Sequence, residues 1–146
     1  AAIYRPLNNI FLNKKMEKIR KNYICKKQIK KGRSGTREML ELFKDGSSIA
    51  LMIDQRVSEG IQVNFFNRKC STTTIPAQLV KKYNCEVIPV YIERKNKINF
   101  EITFSKGIKF EKKDNLEDIT LKLNSILENM ILKNVDQWIW THNRWK

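Results

Sequence analysis

Histidine is almost missing from this chain: His142 is the single one in 146 residues. A histidine-based zinc site, or a local cysteine–histidine catalytic pair, therefore has little support. The three cysteines, Cys25, Cys70 and Cys85, are far apart, and none belongs to a C-x-x-C pair. They read as reduced thiols in a cytosolic setting. No apolar run approaches the roughly 18 to 20 residues of a membrane span, and no signal peptide, repeat or low-complexity segment is visible. The sequence enters strand-like residues directly from Ala1, without Met, which is the expectation for a fragment.

Acid is scarce at one end. Residues 1 to 37 hold twelve Lys or Arg and one acid, Glu17, so that this stretch accounts for +11 of the formal +14. A local field of that sign attracts polyanions: nucleic acid, anionic lipid headgroups or an acidic carrier protein. A basic nucleic-acid-binding domain lacks support beyond this charge. No helix-turn-helix, zinc-finger, RRM or KH signature is present, and the aromatics do not interleave with the basic run. A noncatalytic module binding anionic lipid is the other alternative. With 41% hydrophobic residues, the length suits one domain with a real core.

In order, Ala2-Ile3-Tyr4 reads as the end of a strand that Arg5-Pro6 stops, because proline offers no ladder donor. A helix follows from Asn8 or Asn9, with Ile10, Phe11, Met16, Ile19 and Tyr23 on one approximate face and lysines on the other. Lys30 to Thr36 reads as a glycine-containing connection without the G-x-x-x-x-G-K-[ST] pattern of a nucleotide P-loop. A second helix, Arg37 to Lys44, buries Met39, Leu40, Leu42 and Phe43. Asp45-Gly46 closes it, the glycine suiting a left-handed cap.

Ile49 to Ile53 is continuous and apolar, as in a central strand covered on both faces. It ends in Asp54-Gln55-Arg56, and a polar turn with Gly60 leads to Val63, Phe65 and Phe66. A helix over Thr73 to Lys82, capped from Ser71 to Thr74, predicts a right-handed crossover to a strand at Val87 to Ile92. Lys97 to Ser105 alternates as a half-buried strand, paired with residues 87 to 94 through a tight turn. Asp114-x-x-Glu117 resembles a capping box opening a long helix with Leu116, Ile119, Leu123, Ile126, Leu127, Met130 and Ile131 on one stripe. The tail holds all three tryptophans, Trp138, Trp140 and Trp145. The expected fold is α/β, with a mixed, mostly parallel central sheet flanked by helices in one domain over residues 1 to 146.

Ligands of such sheets gather beyond the carboxyl ends of strands. Arg5, Asp54-Gln55-Arg56 and Glu93-Arg94 all fall at such ends. Asp54 also has the simpler reading of a side chain that satisfies loop amides, and Phe65-Phe66 that of core residues. Alternatively, adjacent aromatics after a polar loop line an apolar slot.

Four phrases, IYRP, MIDQRVSEGIQVNFFNR, TTTIPAQLVKKYNCEVIPVYIER and DQWIWTHNRWK, together resemble the lipid A biosynthesis lauroyl/myristoyl acyltransferases, in one order from Ala1 to Lys146. The similarity is to the carboxyl-terminal half of that family. The resemblance implies transfer of a fatty acyl chain from acyl carrier protein to a lipid A precursor, at the cytoplasmic face of the bacterial inner membrane, against an anionic membrane surface. It implies neither a cofactor, a metal nor a nucleic-acid partner. By the same resemblance Arg5 binds a substrate phosphate or headgroup. Asp54, Gln55, Arg56, Gly60, Phe65, Phe66, Glu93, His142 and Arg144 complete the substrate-binding set.

The family's chemistry rests on an H-x-x-x-x-[DE] pair upstream of the Y-R-P strand. No such pair occurs here, and none of the four residues after His142 is acidic. The resemblance therefore implies a chain that carries substrate-binding walls without the catalytic base, and that is inactive alone.

Overall fold

Asn9 opens the first helix by accepting hydrogen bonds from the amides of Phe11 and Leu12 through its side chain, the usual service of an N-cap. The computed structural model describes residues 1–146, apart from the side chain of Arg33. It divides into two compact units, Ala1–Met52 and Ile53–Lys146.

In the first unit, strand β1 (Ala2–Tyr4) pairs in parallel with β2 (Gln28–Lys30), and helices α1 (Ile10–Tyr23) and α2 (Arg33–Lys44) complete it. Helix α2 starts four residues earlier than its apolar pattern suggests. Its buried side is led by Met39, with Leu40, Leu42 and Phe43 half-buried. Gly46 adopts φ +80° just past its end, where a side chain would be strained. Ile29 on β2 is fully buried.

In the second unit, β3 (Ile61–Phe65) and β4 (Arg68–Thr72) form an antiparallel hairpin, as do β5 (Val90–Arg94) and β6 (Phe100–Phe104). Helix α3 (Ile75–Tyr83) carries Pro76 in its first turn, and α4 (Leu116–Leu132) precedes a 3-10 turn, Val135–Gln137. Two small cores result. Ala77 and Val80 of α3 meet Ile119 and Leu123 of α4, while Phe65, Cys70 and Ile131 gather Phe66, Leu127, Trp138 and Trp145.

The expected mostly parallel central sheet is not what forms: among the described residues there are three two-stranded sheets, and only β1 with β2 is parallel. Both antiparallel pairs are local hairpins, which need short turns and no crossover. Ile49 to Ile53 contributes one parallel bridge, Ala2 to Ala50, and Met52 is 82% exposed. An apolar run becomes a central strand only when strands flank both edges, and here one bridge is the whole of its pairing. Accordingly β5 pairs with β6 alone rather than through a parallel crossover.

The Lys97 to Ser105 strand pairs as expected, yet every residue of β6 is exposed. Val90, Ile92, Ile102 and Phe104 share one face by register and lie open. The capping box of α4 sits one residue later than expected, with Asn115 accepting from the Asp118 amide at 2.9 Å and Asp118 answering to the Asn115 amide.

Candidate functional site

Tyr4, Arg5 and Pro6 leave β1 beside α1. The Tyr4 hydroxyl donates to Glu17 Oε1 at 2.6 Å, Asn13 donates to the same oxygen at 2.8 Å, and Lys30 Nζ lies 3.4 Å from it. Arg20 stacks its guanidinium 4.9 Å from the centre of the Tyr4 ring. Burial, followed by the hydrogen bond to Glu17, pushes the Tyr4 hydroxyl up to about 12. The Tyr4 hydrogen bond, then that of Asn13, holds Glu17 below the ordinary carboxylate value. One carboxylate thus ties β1, α1 and β2 together and fixes the strand exit. Arg5, directly after Tyr4, is exposed, and no described group pairs with its guanidinium.

In the second unit the D-Q turn is held from behind. Arg144 is fully buried, two residues before the last. Its Nη1 donates to the backbone carbonyls of Gln55 and Ser71, and Nη2 donates to Thr72 Oγ1 at 3.1 Å. Its guanidinium stacks 5.2 Å from the centre of the Phe65 ring. Burial lowers Arg144 from the ordinary arginine value, with Cys70 and Asp54 acting in the opposite direction; a guanidinium this basic stays cationic. Asp54 is half-buried and faces Arg144 electrostatically, but among the described residues its carboxylate accepts no hydrogen bond. The simpler reading of a side chain that satisfies loop amides is therefore not what the structure has. Gln55 and Arg56 point their side chains to solvent.

Gly60 approaches β4 so closely that a Cβ would lie 2.7 and 2.8 Å from the Thr72 carbonyl carbon and nitrogen. Beside this, Ser71 donates to the Val57 carbonyl, closing the loop from 54 to 60 onto β4. The β3–β4 turn consists of Phe66 and Asn67, with φ +48° and +59°, the pattern of a type I′ turn. Phe66 is an unusual residue for it, because a side chain in the left-handed region costs about 1 to 2 kcal/mol. Its amide donates to Glu128 Oε1 at 2.7 Å, and its ring lies 4.8 Å from Phe65 and 6.0 Å from Trp140. Trp138 and Trp145 pack on Phe65 at 5.8 and 5.7 Å, and the Trp145 indole donates to the Phe65 carbonyl at 2.9 Å. The aromatic wall and the D-Q turn are therefore one construction, joined through β3 and β4.

Glu93 and Arg94 are occupied differently. Lys95 and Asn134 both donate to Glu93, at 2.7 and 3.1 Å, and the Lys95 bond is the main cause of its lowered pKa. The backbone of Arg94 exchanges two hydrogen bonds with the Gln137 side chain, and its guanidinium lies over Phe100. These residues fasten the second hairpin to the segment after α4. His142 is exposed. Burial pushes the Cys85 thiol up, away from the thiolate a nucleophile needs.

Sequence reasoning missed the Tyr4–Glu17 anchor and the Asn124 side chain, which is fully buried and donates to the Asn64 carbonyl and to Thr72 Oγ1. A lone asparagine within the apolar stripe of α4 was the available signal. Among the described residues no helix is long and apolar enough to cross a membrane.

The first unit thus presents one exposed cation, Arg5, at the exit of β1, and in the second unit a buried arginine holds the D-Q turn beside a group of packed aromatic rings. The family of bacterial lipid A biosynthesis acyltransferases matches over residues 1–146, and the chain belongs to it. No curated protein matches the chain.

Proposed function

We propose that this chain forms the acceptor and donor walls of an enzyme that moves a fatty acyl chain from acyl carrier protein to a hydroxyl of a phosphorylated lipid A precursor. The observation that carries the reading is the family match along all 146 residues. The geometry agrees with it. Arg5 presents a free, exposed guanidinium at an anchored strand exit, suited to a bidentate grip on phosphate. Asp54, Gln55 and Arg56 form the turn that positions substrate, with Gly60 letting that turn close on β4. Phe66 and the tryptophans offer the apolar wall for an acyl chain, and Phe65 supports them from the core. His142 lies at the polar rim, and Glu93 acts by holding the second hairpin. Arg144, its Nη donors already engaged by the protein, acts by supporting the turn.

In this reading the base is a histidine paired with an acid outside these 146 residues. It takes the proton of the acceptor hydroxyl as the oxygen attacks the thioester carbonyl, and the thiolate of the carrier leaves and is protonated. The chain is then the carboxyl-terminal part of one acyltransferase domain, inactive alone. It acts at the cytoplasmic face of the bacterial inner membrane, without a cofactor.

Acyl transfer by the protein encoded by the complete gene tests this. Arg5→Ala and Asp54→Asn should each lower turnover by at least about tenfold, the loss of one charge-assisted contact, with far-UV circular dichroism unchanged. Normal turnover in either variant removes that residue's role. Absence of an H-x-x-x-x-[DE] pair from the coding sequence before Ala1 removes the catalytic proposal.

A further inference from the structure

The β5–β6 hairpin turns its polar side to the protein and its apolar side to water. Along residues 87 to 94 burial alternates: Val87, Pro89, Tyr91 and Glu93 are half-buried, whereas Ile88, Val90, Ile92 and Arg94 are exposed. The half-buried side is the one fastened to the rest of the unit. Glu93 accepts from Asn134, Lys133 Nζ lies 5.2 Å from the centre of the Tyr91 ring, and Lys95 joins Glu93 to Glu101 on the same side. By register Phe100, Ile102 and Phe104 stand beside Arg94, Ile92 and Val90. The outer face therefore holds Val90, Ile92, Phe100, Ile102 and Phe104 in two rows, between 43% and 72% exposed. Arg94 closes one end of it with its guanidinium 5.1 Å from the centre of the Phe100 ring, and among the described residues it forms no ion pair. An antiparallel pair with one solvated face ordinarily puts its polar side in water. With Ile88 and Ile98 at the ends of the hairpin, also exposed, the open apolar surface is on the order of 700 Å², more than the largest patch of an ordinary monomer. It approaches the roughly 800 Å² that one partner gives to a stable interface.

We infer that this face seats a helix from the part of the acyltransferase that carries the histidine and acid, laid with an apolar stripe along Val90, Ile92, Ile102 and Phe104 and a carboxylate toward Arg94. The dimensions suit one helix. Two rows about 4.8 Å apart lie within its diameter of about 10 Å, and a strand of five residues runs about 17 Å, the length of three helical turns. A sheet is stable when its apolar face packs on a second layer, and this occupant supplies the layer together with the catalytic pair. A second copy of the chain would bring a face without a carboxylate, leaving Arg94 unpaired. The inference rests on the reading that the catalytic pair lies outside these 146 residues.

The test compares the 146-residue chain with the protein encoded by the complete gene, in one detergent-containing buffer. Ile102→Cys and, on the opposite side of the same strand, Thr103→Cys are treated with N-ethylmaleimide, and the modified peptides are followed by mass spectrometry. Ile102→Cys should label at least about tenfold more slowly in the complete protein, where it reacts only through opening of the contact, and Thr103→Cys should label equally in both. Ile102→Lys should leave the thermal midpoint of the 146-residue chain within about 2 °C. In the complete protein it should lower the midpoint by at least about 5 °C, because it forces a charge into an apolar contact. Equal labelling of Ile102→Cys in the two proteins, or equal shifts from Ile102→Lys, would overturn the assignment. Protection of the 146-residue chain by detergent alone would give the face to lipid, and protection that grows with its concentration would give it to a second copy; either outcome overturns it as well. Neither measurement involves acyl transfer. Transfer by a complete protein whose Ile102 position stays open sinks the seated helix and spares the enzyme reading, and a protected position without transfer does the opposite.

Discussion

Arg144 donates a hydrogen bond to the backbone carbonyl of Gln55, across 89 residues of sequence. The contact joins the chain's carboxyl-terminal segment to the turn that carries Asp54. Because the same guanidinium also engages Ser71 and Thr72 on β4, the turn, the strand and the tail share one buried cation.

Arg144→Ala leaves the Gln55 and Ser71 carbonyls and the Thr72 hydroxyl without this donor. It should destabilise the second unit by about 3 to 5 kcal/mol, the usual cost of removing one partner from a buried charged network. Arg144→Lys keeps the charge but lacks the forked donors, and should recover less than half of that. Urea unfolding of the two variants beside the parent decides it, and parent-like midpoints would show that the network contributes nothing.

Gly60→Ala places a methyl group against the Thr72 backbone, which cannot swing aside as a flexible side chain can. A loss of about 1 to 3 kcal/mol is expected, read as a lower thermal midpoint. Ser58→Ala, on the same loop but exposed, serves as the control and should lie within about 0.5 kcal/mol of the parent.

The Phe66-Asn67 turn offers a test of opposite sign. Asn67→Gly suits the second position of a type I′ turn and should be neutral or stabilising by up to about 1 kcal/mol. Asn67→Val should cost about 1 to 2 kcal/mol, because a β-branched residue resists positive φ. Equal denaturation midpoints for the two variants would contradict the turn geometry.

Acid and alkali should loosen the first unit at Tyr4 and Glu17. Glu17 titrates below its ordinary 4.5 in the folded chain, so its contribution is complete above pH 4.5 and is lost as pH falls through the folded value. Tyr4 is raised from 10.0 to about 12; its contribution is complete below pH 10.0 and fades as pH rises through about 12. Tyr4→Phe should flatten both limbs of a stability-against-pH curve for this unit. An unchanged acid limb would show that the hydrogen bond to Glu17 is not what carries it.

Helix punctuation was the legible part of the fold. Asn9, Gly46 and Pro76 act as their residue types dictate, and the stripe of α4 buries Ile119, Leu123 and Ile131. The capping box slipped by one residue because two neighbouring side chains offer suitable oxygens: Asp114 accepts from the Glu111 amide instead, leaving Asn115 for the helix. The β3–β4 hairpin escaped notice because its turn is Phe-Asn and not Asn-Gly. Ile49 to Ile53 misled because apolar continuity says nothing about strand partners. Of the candidate site, the motif positions were readable, whereas the part played by Arg144 was not: two of its three bonds go to backbone carbonyls, which leave no residue signature.

The ladder between β1 and β2 has only three rungs, and its strands are joined by a long connection that carries α1 rather than by a tight turn. Its opening should be cheap in comparison with the β3–β4 hairpin, which is five residues long on each strand and buries Val63, Phe65 and Cys70. Amide hydrogens at Ile3 and Tyr4 should then exchange with solvent deuterium sooner than those at Val63 and Phe65. The arginine proposed to grip phosphate would then ride on the segment expected to open first, one residue beyond the tyrosine that ties its strand to Glu17.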